Sequence, residues 1–189
     1  TNFLKEKGIT VVHVVSSVKF ALKAEAAGVD AVVCEGFEAG GHNGREETTT
    51  FALIPMVKEQ VQIPVIAAGG IGSGRGMLAA MVLGANGVQV GSRFAATKES
   101  SAHNNFKETI VNVKDGDTQL TLKELAPVRL VKNKFYQQVQ ELYKHNPTKE
   151  DIKELLGRAR AKKGMFEGDL ENGELEIGQV AGLIHEIKS

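Results

Sequence analysis

A glycine-rich stretch that holds a single histidine is the part of the sequence best suited to chemistry. Four of the nine residues in 36–44 are glycine, and His42 is the only imidazole among them. Glycine lets the backbone take positive φ and approach a ligand closely. The stretch follows an apolar run, 30–34, that predicts a buried strand, and loops at the carboxyl ends of strands carry the chemistry of many α/β proteins. A tight turn with an incidental histidine is the alternative, although a turn needs only one or two glycines.

Two further glycine-rich segments predict a phosphate-binding site. Residues 69–74 and 91–94 each follow a strand-like apolar run and precede a predicted helix or turn. Backbone N–H groups at such places, together with the positive end of a helix dipole, bind phosphate without a cationic side chain. The strict dinucleotide pattern fails because Arg75 stands where a glycine is required, and the P-loop pattern fails as well. A mononucleotide site, of the kind that (β/α)8 barrels form after their last two strands, is the better prediction.

Strands and helices alternate through the first half of the chain. The predicted strands cover residues 10–15, 31–34, 63–68 and 87–90. The predicted helices between them cover residues 18–27, 51–60 and 75–83. This alternation is typical of a parallel sheet with helical crossovers. After residue 98 the pattern changes to helices, predicted over residues 99–113, 134–144, 148–162 and 171–187, with a short strand near 128–131. The helices over 134–144 and 148–162 are amphipathic, and the last helix is interrupted by Gly178 and Gly182.

The composition indicates which partners and which cellular compartment to expect. The 189 residues include 23 basic and 23 acidic side chains and no basic stripe with interleaved aromatics, so nucleic acid is not expected as a partner. The apolar runs are too short to cross a bilayer, which argues against a membrane protein. The single cysteine, Cys34, cannot form an internal disulfide and favours a reducing, cytoplasmic setting. The five histidines show no helical metal-site spacing, and no metal is expected.

Three motifs together resemble a known family. Residues 35–42 (EGFEAGGH), 64–71 (PVIAAGGI) and 87–94 (GVQVGSRF) are similar to motifs of the nitronate monooxygenases, formerly called 2-nitropropane dioxygenases. The closely related FMN-dependent enoyl-acyl-carrier-protein reductases share all three. The resemblance runs from about residue 9 to residue 184 and therefore covers most of the chain.

The resemblance implies a fold of the α/β class, an FMN-binding TIM barrel of which this chain carries strands 5–8. Residues 1–98 are then the C-terminal half of the barrel, and residues 99–189 a mainly helical segment that covers the active face and returns to the barrel. Members of the family begin with four further strands. We therefore expect a piece of a longer enzyme, or half of an assembly of two chains, of which a homodimer is the simplest.

The resemblance also assigns roles to single residues. The histidine of the Gly-Gly-His motif is catalytic in the family, so that role falls on His42. Apart from the resemblance, Glu38 is a candidate to orient His42 because it lies in the same loop, and a solvated carboxylate is the alternative. Ser92 stands where the family usually has threonine, which keeps the hydroxyl. The residues expected to bind FMN are Gly41, Gly69, Gly70, Gln89, Gly91 and Ser92.

Three functions are consistent with these motifs. The first is an FMN-dependent nitronate monooxygenase, an oxidoreductase that oxidises nitronates or nitroalkanes with O2, and residues 164–169 favour it. The second is an FMN- and NADH-dependent enoyl-acyl-carrier-protein reductase, whose small-molecule substrate is an enoyl thioester. The third is a non-catalytic remnant or phosphate-ligand binder. The motifs do not separate the first two.

Overall fold

A parallel four-stranded sheet is the centre of the first of two units into which the chain folds. The computed structural model describes all of residues 1–189, and this unit takes residues 1–39 and 43–90. Its strands are β1 (Val12–Val15), β2 (Ala31–Glu35), β4 (Val65–Ala68) and β5 (Gly87–Gln89). Its helices are α1 (Asn2–Glu6), α2 (Val18–Ala26), α3 (Thr50–Lys58) and α4 (Gly74–Val82). The order β1-β2-β4-β5, with every pair parallel, confirms the predicted α/β class.

Local sequence accounts for where the helices of this unit begin. The side chains of Ser17, Thr49 and Ser73 each accept a hydrogen bond from the backbone N–H three residues further on. Each cap satisfies one donor that the first turn of a helix leaves unpaired. Between the helices, β2 is the most buried strand, because it has a paired strand on both sides and lies within the apolar core.

The register of the sheet brings the strand ends to one edge. Val15 pairs with Cys34 and Cys34 with Ala67, while Ala68 pairs with Gln89. The segments that follow the four strands therefore all leave from the carboxyl edge of the sheet. Among them are the glycine-rich residues after β2 and β4, which is where α/β proteins bind ligands.

The outer strands of this sheet are open edges. β1 and β5 each pair with one neighbour only. Val12 and Val14 of β1 are about half exposed, and Leu78 and Val82 of α4 are exposed as well. The first unit thus exposes unpaired backbone groups and apolar side chains, which proteins normally cover with neighbouring elements.

The second unit comprises residues 40–42 and 91–189. Its strands are β3 (Gly41–His42), β6 (Thr118–Thr121) and β7 (Val128–Val131), which form an antiparallel sheet in the order β3-β7-β6. Its helices are α5 (Ser92–Ala95), α6 (Asn104–Asn112), α7 (Lys134–Tyr143), α8 (Lys149–Leu156), α9 (Arg160–Met165) and a 3-10 helix (Gln179–Leu183). Two apolar clusters stabilise it, one around Phe106 and Ile177 and the other around Leu130 and Phe135.

The prediction of a helix over residues 171–187 is wrong. Residues 174–178 form no helix, and only the 3-10 helix Gln179–Leu183 follows them. Tertiary hydrogen bonds explain the difference: the carbonyl of Leu175 accepts from Val131 N at 3.0 Å, and the N–H of Glu174 donates to the carbonyl of Arg160 at 3.0 Å. Backbone groups committed to neighbouring elements cannot also close helical turns.

The helix predicted over residues 148–162 is two helices, α8 and α9. The capping box of Thr148 and Asp151 begins α8 as predicted. Gly157 and Ala159 then take φ values of +61° and +60°, which interrupts the helix before α9. Left-handed backbone cannot continue a right-handed helix.

Neither a membrane span nor a metal cluster is found in the structure. None of the helices combines the length and the apolar character needed to cross a bilayer. No group of three or more His, Cys, Asp or Glu side chains is arranged to hold a metal ion.

Candidate active site

His42 lies in the short strand β3 of the second unit, whereas the sequence placed it in a loop. β3 pairs antiparallel with β7, so that His42 is opposite Val128 and Gly41 opposite Arg129. This pairing fixes the backbone on both sides of the histidine. The His42 side chain is 72% exposed, and the imidazole is therefore accessible to a small molecule.

A carboxylate lies beside this imidazole. The Oε1 atom of Glu176 is 3.7 Å from Nδ1 of His42, and the Glu176 side chain is only 20% exposed. Burial raises the pKa of the Glu176 carboxyl, and the charge of a protonated His42 lowers it. The pair thus combines an exposed imidazole with a sheltered carboxyl group. Sequence reasoning missed Glu176, because no local pattern links it to β3.

Glu38, the carboxylate that the sequence offered for orienting His42, is bonded to Thr50 in the first unit. The backbone N–H of Thr50 donates to both oxygens of Glu38, at 3.0 and 3.1 Å, and the Thr50 hydroxyl lies 2.9 Å from Oε2. Thr50 is the first residue of α3, where an acidic group also interacts favourably with the helix dipole. Glu38 therefore anchors the start of α3.

Thr50 also reaches the glycines that follow β4. Its hydroxyl is 3.1 Å from the carbonyl oxygen of Ala68 and 2.9 Å from that of Gly69. A Cβ atom on Gly69 would lie 2.7 Å from the carbonyl oxygen of Gly36, and the φ of Gly69 is +92°. Glycine is thus required at position 69 by both space and backbone conformation.

The residues after Gly69 offer donors suited to an anion. Gly70 has a φ of +69° and is exposed, and the N–H groups of Gly70 and Ile71 donate to no group of the chain. Ser73 caps α4 a few residues further on. Free N–H groups just before a helix N-terminus are the donor set that a phosphate group needs, so this loop fits the FMN phosphate.

The remaining predicted FMN residues lie at the end of β5 and just after it. Gln89 ends β5 with an exposed side chain in the first unit. In the second unit, Gly91 precedes α5 and Ser92 begins it. The Ser92 hydroxyl accepts a hydrogen bond from the N–H of Gly178 at 3.0 Å. Ser92 therefore has a partner within its own unit, on the segment that also carries Glu176.

The predicted residues fall into two groups. Gly69 and Gly70 adjoin the contacts of Glu38 and Thr50 in the first unit. Gly41 and His42 adjoin Glu176 in the second unit. Sequence reasoning assigned no role of its own to Glu35, which ends β2 half-buried at the carboxyl edge, where burial raises its carboxyl pKa.

A parallel sheet whose strands follow one another in chain order, with helical crossovers and glycine-rich loops at its carboxyl edge, is the arrangement of four consecutive strands of a (β/α) barrel. The sequence is similar to the nitronate monooxygenase family over residues 2–189. The chain belongs to that family, as the three motifs indicated.

Individual relatives agree with this membership. A probable nitronate monooxygenase of Staphylococcus saprophyticus is 36% identical over 196 aligned residues, which cover 98% of this chain and 55% of the relative. A probable nitronate monooxygenase of Staphylococcus aureus is 40% identical over 147 residues, which cover 73% of this chain and 41% of the relative. The chain thus spans about half the length of the curated relatives it matches.

Solved structures give the same result for the fold. FabK from Thermotoga maritima is 47% identical with a TM-score of 0.91, over 98% of this chain and 58% of FabK. Nitroalkane oxidase from Streptomyces ansochromogenes is 30% identical with a TM-score of 0.79, over 98% of this chain and 56% of the oxidase. The match to just over half of each structure agrees with the predicted half barrel.

Proposed function

We propose that this chain is the FMN-binding and catalytic part of a nitronate monooxygenase that oxidises nitronates or nitroalkanes with O2. The observation that carries the proposal is the exposed imidazole of His42 beside the sheltered carboxylate of Glu176, in a chain that belongs to the nitronate monooxygenase family. The similarity to nitroalkane oxidase supports a nitro compound as the substrate class.

FMN is the cofactor that the family implies. When bound, it supplies the redox chemistry between the organic substrate and O2. We propose that the N–H groups of the 69–71 loop bind its phosphate, because they have no acceptor within the chain. The other residues proposed to hold FMN are Gly41, Gln89, Gly91 and Ser92.

His42 is proposed to move the proton. A nitroalkane carries an acidic hydrogen on the carbon next to the nitro group, and its removal leaves a nitronate anion. The Nε2 atom of His42 accepts that proton, so that the C–H electron pair stays on the substrate. With a substrate that is already a nitronate, there is no proton for the imidazole to remove.

The proposal is tested by O2 consumption with nitroethane in the FMN-loaded protein. We expect His42→Ala to retain FMN through a desalting column and to lose nitroethane turnover by about 100-fold or more, the usual contribution of a positioned base. His145→Ala is the matched control, because His145 is also exposed and lies 3.9 Å from a carboxylate, that of Glu141. Unchanged turnover in His42→Ala would overturn the assignment.

A second candidate is an FMN- and NADH-dependent enoyl-acyl-carrier-protein reductase. The observation that favours it is the 47% identity to FabK from Thermotoga maritima. In this reaction His42 would protonate the thioester enolate after hydride transfer. Anaerobic oxidation of NADH that depends on crotonyl thioester, without nitroethane-dependent O2 uptake, would establish the reductase. A protein that never retains FMN would instead favour a non-catalytic role.

The cellular compartment and the oligomeric state are also proposals. The single cysteine, Cys34, is buried and unbridged, which supports a reducing, cytoplasmic compartment. The open edges β1 and β5 support pairing with further strands, from the same polypeptide or from a second copy in a homodimer. Molar mass from light scattering distinguishes a monomer from a homodimer.

A further inference from the structure

In the second unit, segment 174–178 packs closely against β3. A Cβ atom on Gly40 would lie 2.6 Å from Gly178 N and from the carbonyl carbon of Ile177. A Cβ atom on Gly41 would lie 3.2 Å from Oε2 of Glu176. The two glycines therefore let the backbone before His42 lie directly on this segment, and they leave the room that the Glu176 carboxylate occupies.

We propose that Glu176 is the positioning residue of His42: its carboxylate holds the imidazole by Nδ1 and leaves Nε2 directed at the substrate. The inference rests on the proposed function, in which Nε2 accepts the proton of the nitroalkane. A carboxylate at Nδ1 selects the tautomer that carries its hydrogen there, because only that tautomer donates to it. The same carboxylate stabilises the imidazolium that forms when the proton is taken.

The asymmetry in burial supports this role. The Glu176 side chain is 20% exposed and lies against backbone, whereas that of His42 is 72% exposed. A sheltered carboxylate that lies against backbone restricts the exposed imidazole more than the imidazole restricts the carboxylate. The distance of 3.7 Å is that of an ion pair and exceeds hydrogen-bond range, so the proposed hydrogen bond requires the exposed ring to turn toward the carboxylate.

A second carboxyl group, that of Glu174, lies close to the carboxyl group of Glu176. Glu174, two residues before it, has a pKa raised to about 7 by burial and by the charge of Glu176, partly offset by Arg160 of α9. Part of the charge repulsion between the two carboxyls is thus relieved by a proton on Glu174.

The experiment compares two substrates in Glu176→Gln, which keeps the shape of the side chain and removes its charge. Nitroethane requires proton removal, whereas preformed ethyl nitronate does not. We expect kcat with nitroethane to fall about tenfold, as a change equal to one pKa unit in proton affinity would give. Turnover of ethyl nitronate is expected to stay within about twofold, far inside that change. Equal losses with both substrates would overturn the proposal and indicate a structural role.

A spectroscopic measurement tests the same point without turnover. ¹⁵N NMR of the imidazole of His42 is expected to show the Nδ1–H tautomer in the wild-type protein and a mixture of tautomers in Glu176→Gln. Glu176→Asp is expected to lie between them, because it keeps the charge but withdraws it by one methylene. Glu141→Gln, at the exposed pair of Glu141 and His145, is the matched control and should leave His42 unchanged.

Failure of this inference differs from failure of the proposed function. A wild-type protein that oxidises neither nitroethane nor ethyl nitronate contradicts the proposed function, and the NMR measurement still decides whether Glu176 fixes the imidazole. An unchanged tautomer in Glu176→Gln overturns the positioning role, whatever the activity.

Discussion

The hydroxyl of Thr50 lies 2.9 Å from the carbonyl oxygen of Gly69. The same hydroxyl lies 2.9 Å from a carboxylate oxygen of Glu38, so one buried side chain connects the segment after β2 to the segment after β4. Both segments leave the carboxyl edge of the parallel sheet. Thr50 therefore shapes the loop proposed to bind the FMN phosphate without belonging to it.

Replacing this hydroxyl should loosen the loop. Thr50→Val keeps the size of the side chain but removes the single hydroxyl hydrogen that the Glu38 carboxylate and the carbonyls of Ala68 and Gly69 share. We expect the free energy of unfolding to fall by about 1–3 kcal/mol, the cost of leaving buried polar groups unsatisfied. FMN should bind about tenfold more weakly, which corresponds to about 1.4 kcal/mol. Urea unfolding and fluorescence titration of FMN measure the two effects.

Thr50→Ser is the matched control for this prediction. Serine keeps the hydroxyl and loses only a methyl group, so FMN affinity should stay close to that of the wild type. Equal FMN affinities in Thr50→Val and Thr50→Ser would show that the hydroxyl does not shape the loop.

Gly41 offers a test of how closely β3 must approach Glu176. Its φ is +83°, and an added Cβ would lie 3.2 Å from the Glu176 carboxylate. Gly116 has a similar φ of +79° with no atom within 4 Å of an added Cβ. Both alanine variants should lose about 1–2 kcal/mol of stability from left-handed backbone. Only Gly41→Ala should also lower nitroethane turnover, because only it displaces the carboxylate; equal turnover in the two variants would contradict this.

The elements could be predicted from sequence where local chemistry decides them. Ser17, Thr49 and Ser73 indicate where α2, α3 and α4 begin, and the apolar runs between these helices predict the strands. The strand Val128–Val131 was also predicted correctly, as was the capping box at Thr148. These features depend on residues a few positions apart, which a sequence displays directly.

The contacts of the candidate site could not be predicted in the same way. Glu176 and Thr50 gain their roles from His42 and Gly69, which are distant in sequence, and no periodicity marks such pairs. The helix predicted over 171–187 failed for a related reason, because hydrogen bonds to other elements occupy backbone groups that a helix would need. Its glycines at 173, 178 and 182 were the one local signal against a helix.

Ser92 should contribute to stability through Gly178. The N–H of Gly178 is in a buried residue and donates to the Ser92 hydroxyl at 3.0 Å. Ser92→Ala removes that acceptor, and we expect a loss of about 1–3 kcal/mol in the free energy of unfolding. Ser92→Thr keeps the hydroxyl and should be nearly neutral. Urea denaturation checks both, and a neutral Ser92→Ala would mean that water replaces the hydroxyl.

Glu174 should make the protein less stable as pH rises. Burial and the charge of Glu176 raise the pKa of Glu174 from 4.5 to about 7 in the folded state. Between these two values the folded protein binds the proton that the unfolded chain has released, so the free energy of unfolding decreases as pH increases. The penalty begins near pH 4.5 and is complete above about pH 7. It amounts to about 3.5 kcal/mol at most, at about 1.4 kcal/mol for each pKa unit.

Glu174→Gln isolates this contribution, because glutamine is neutral at every pH and close in shape. The free energy of unfolding at pH 5 and at pH 8, measured with urea, should fall less in Glu174→Gln than in the wild type. Carboxyl groups other than the neighbouring Glu176 titrate equally in both proteins and cancel in the comparison. Glu171→Gln, at an exposed residue nearby, should reproduce the wild-type dependence. If Glu174→Gln lost as much stability between the two pH values as the wild type, Glu174 would be charged in the folded protein throughout this range.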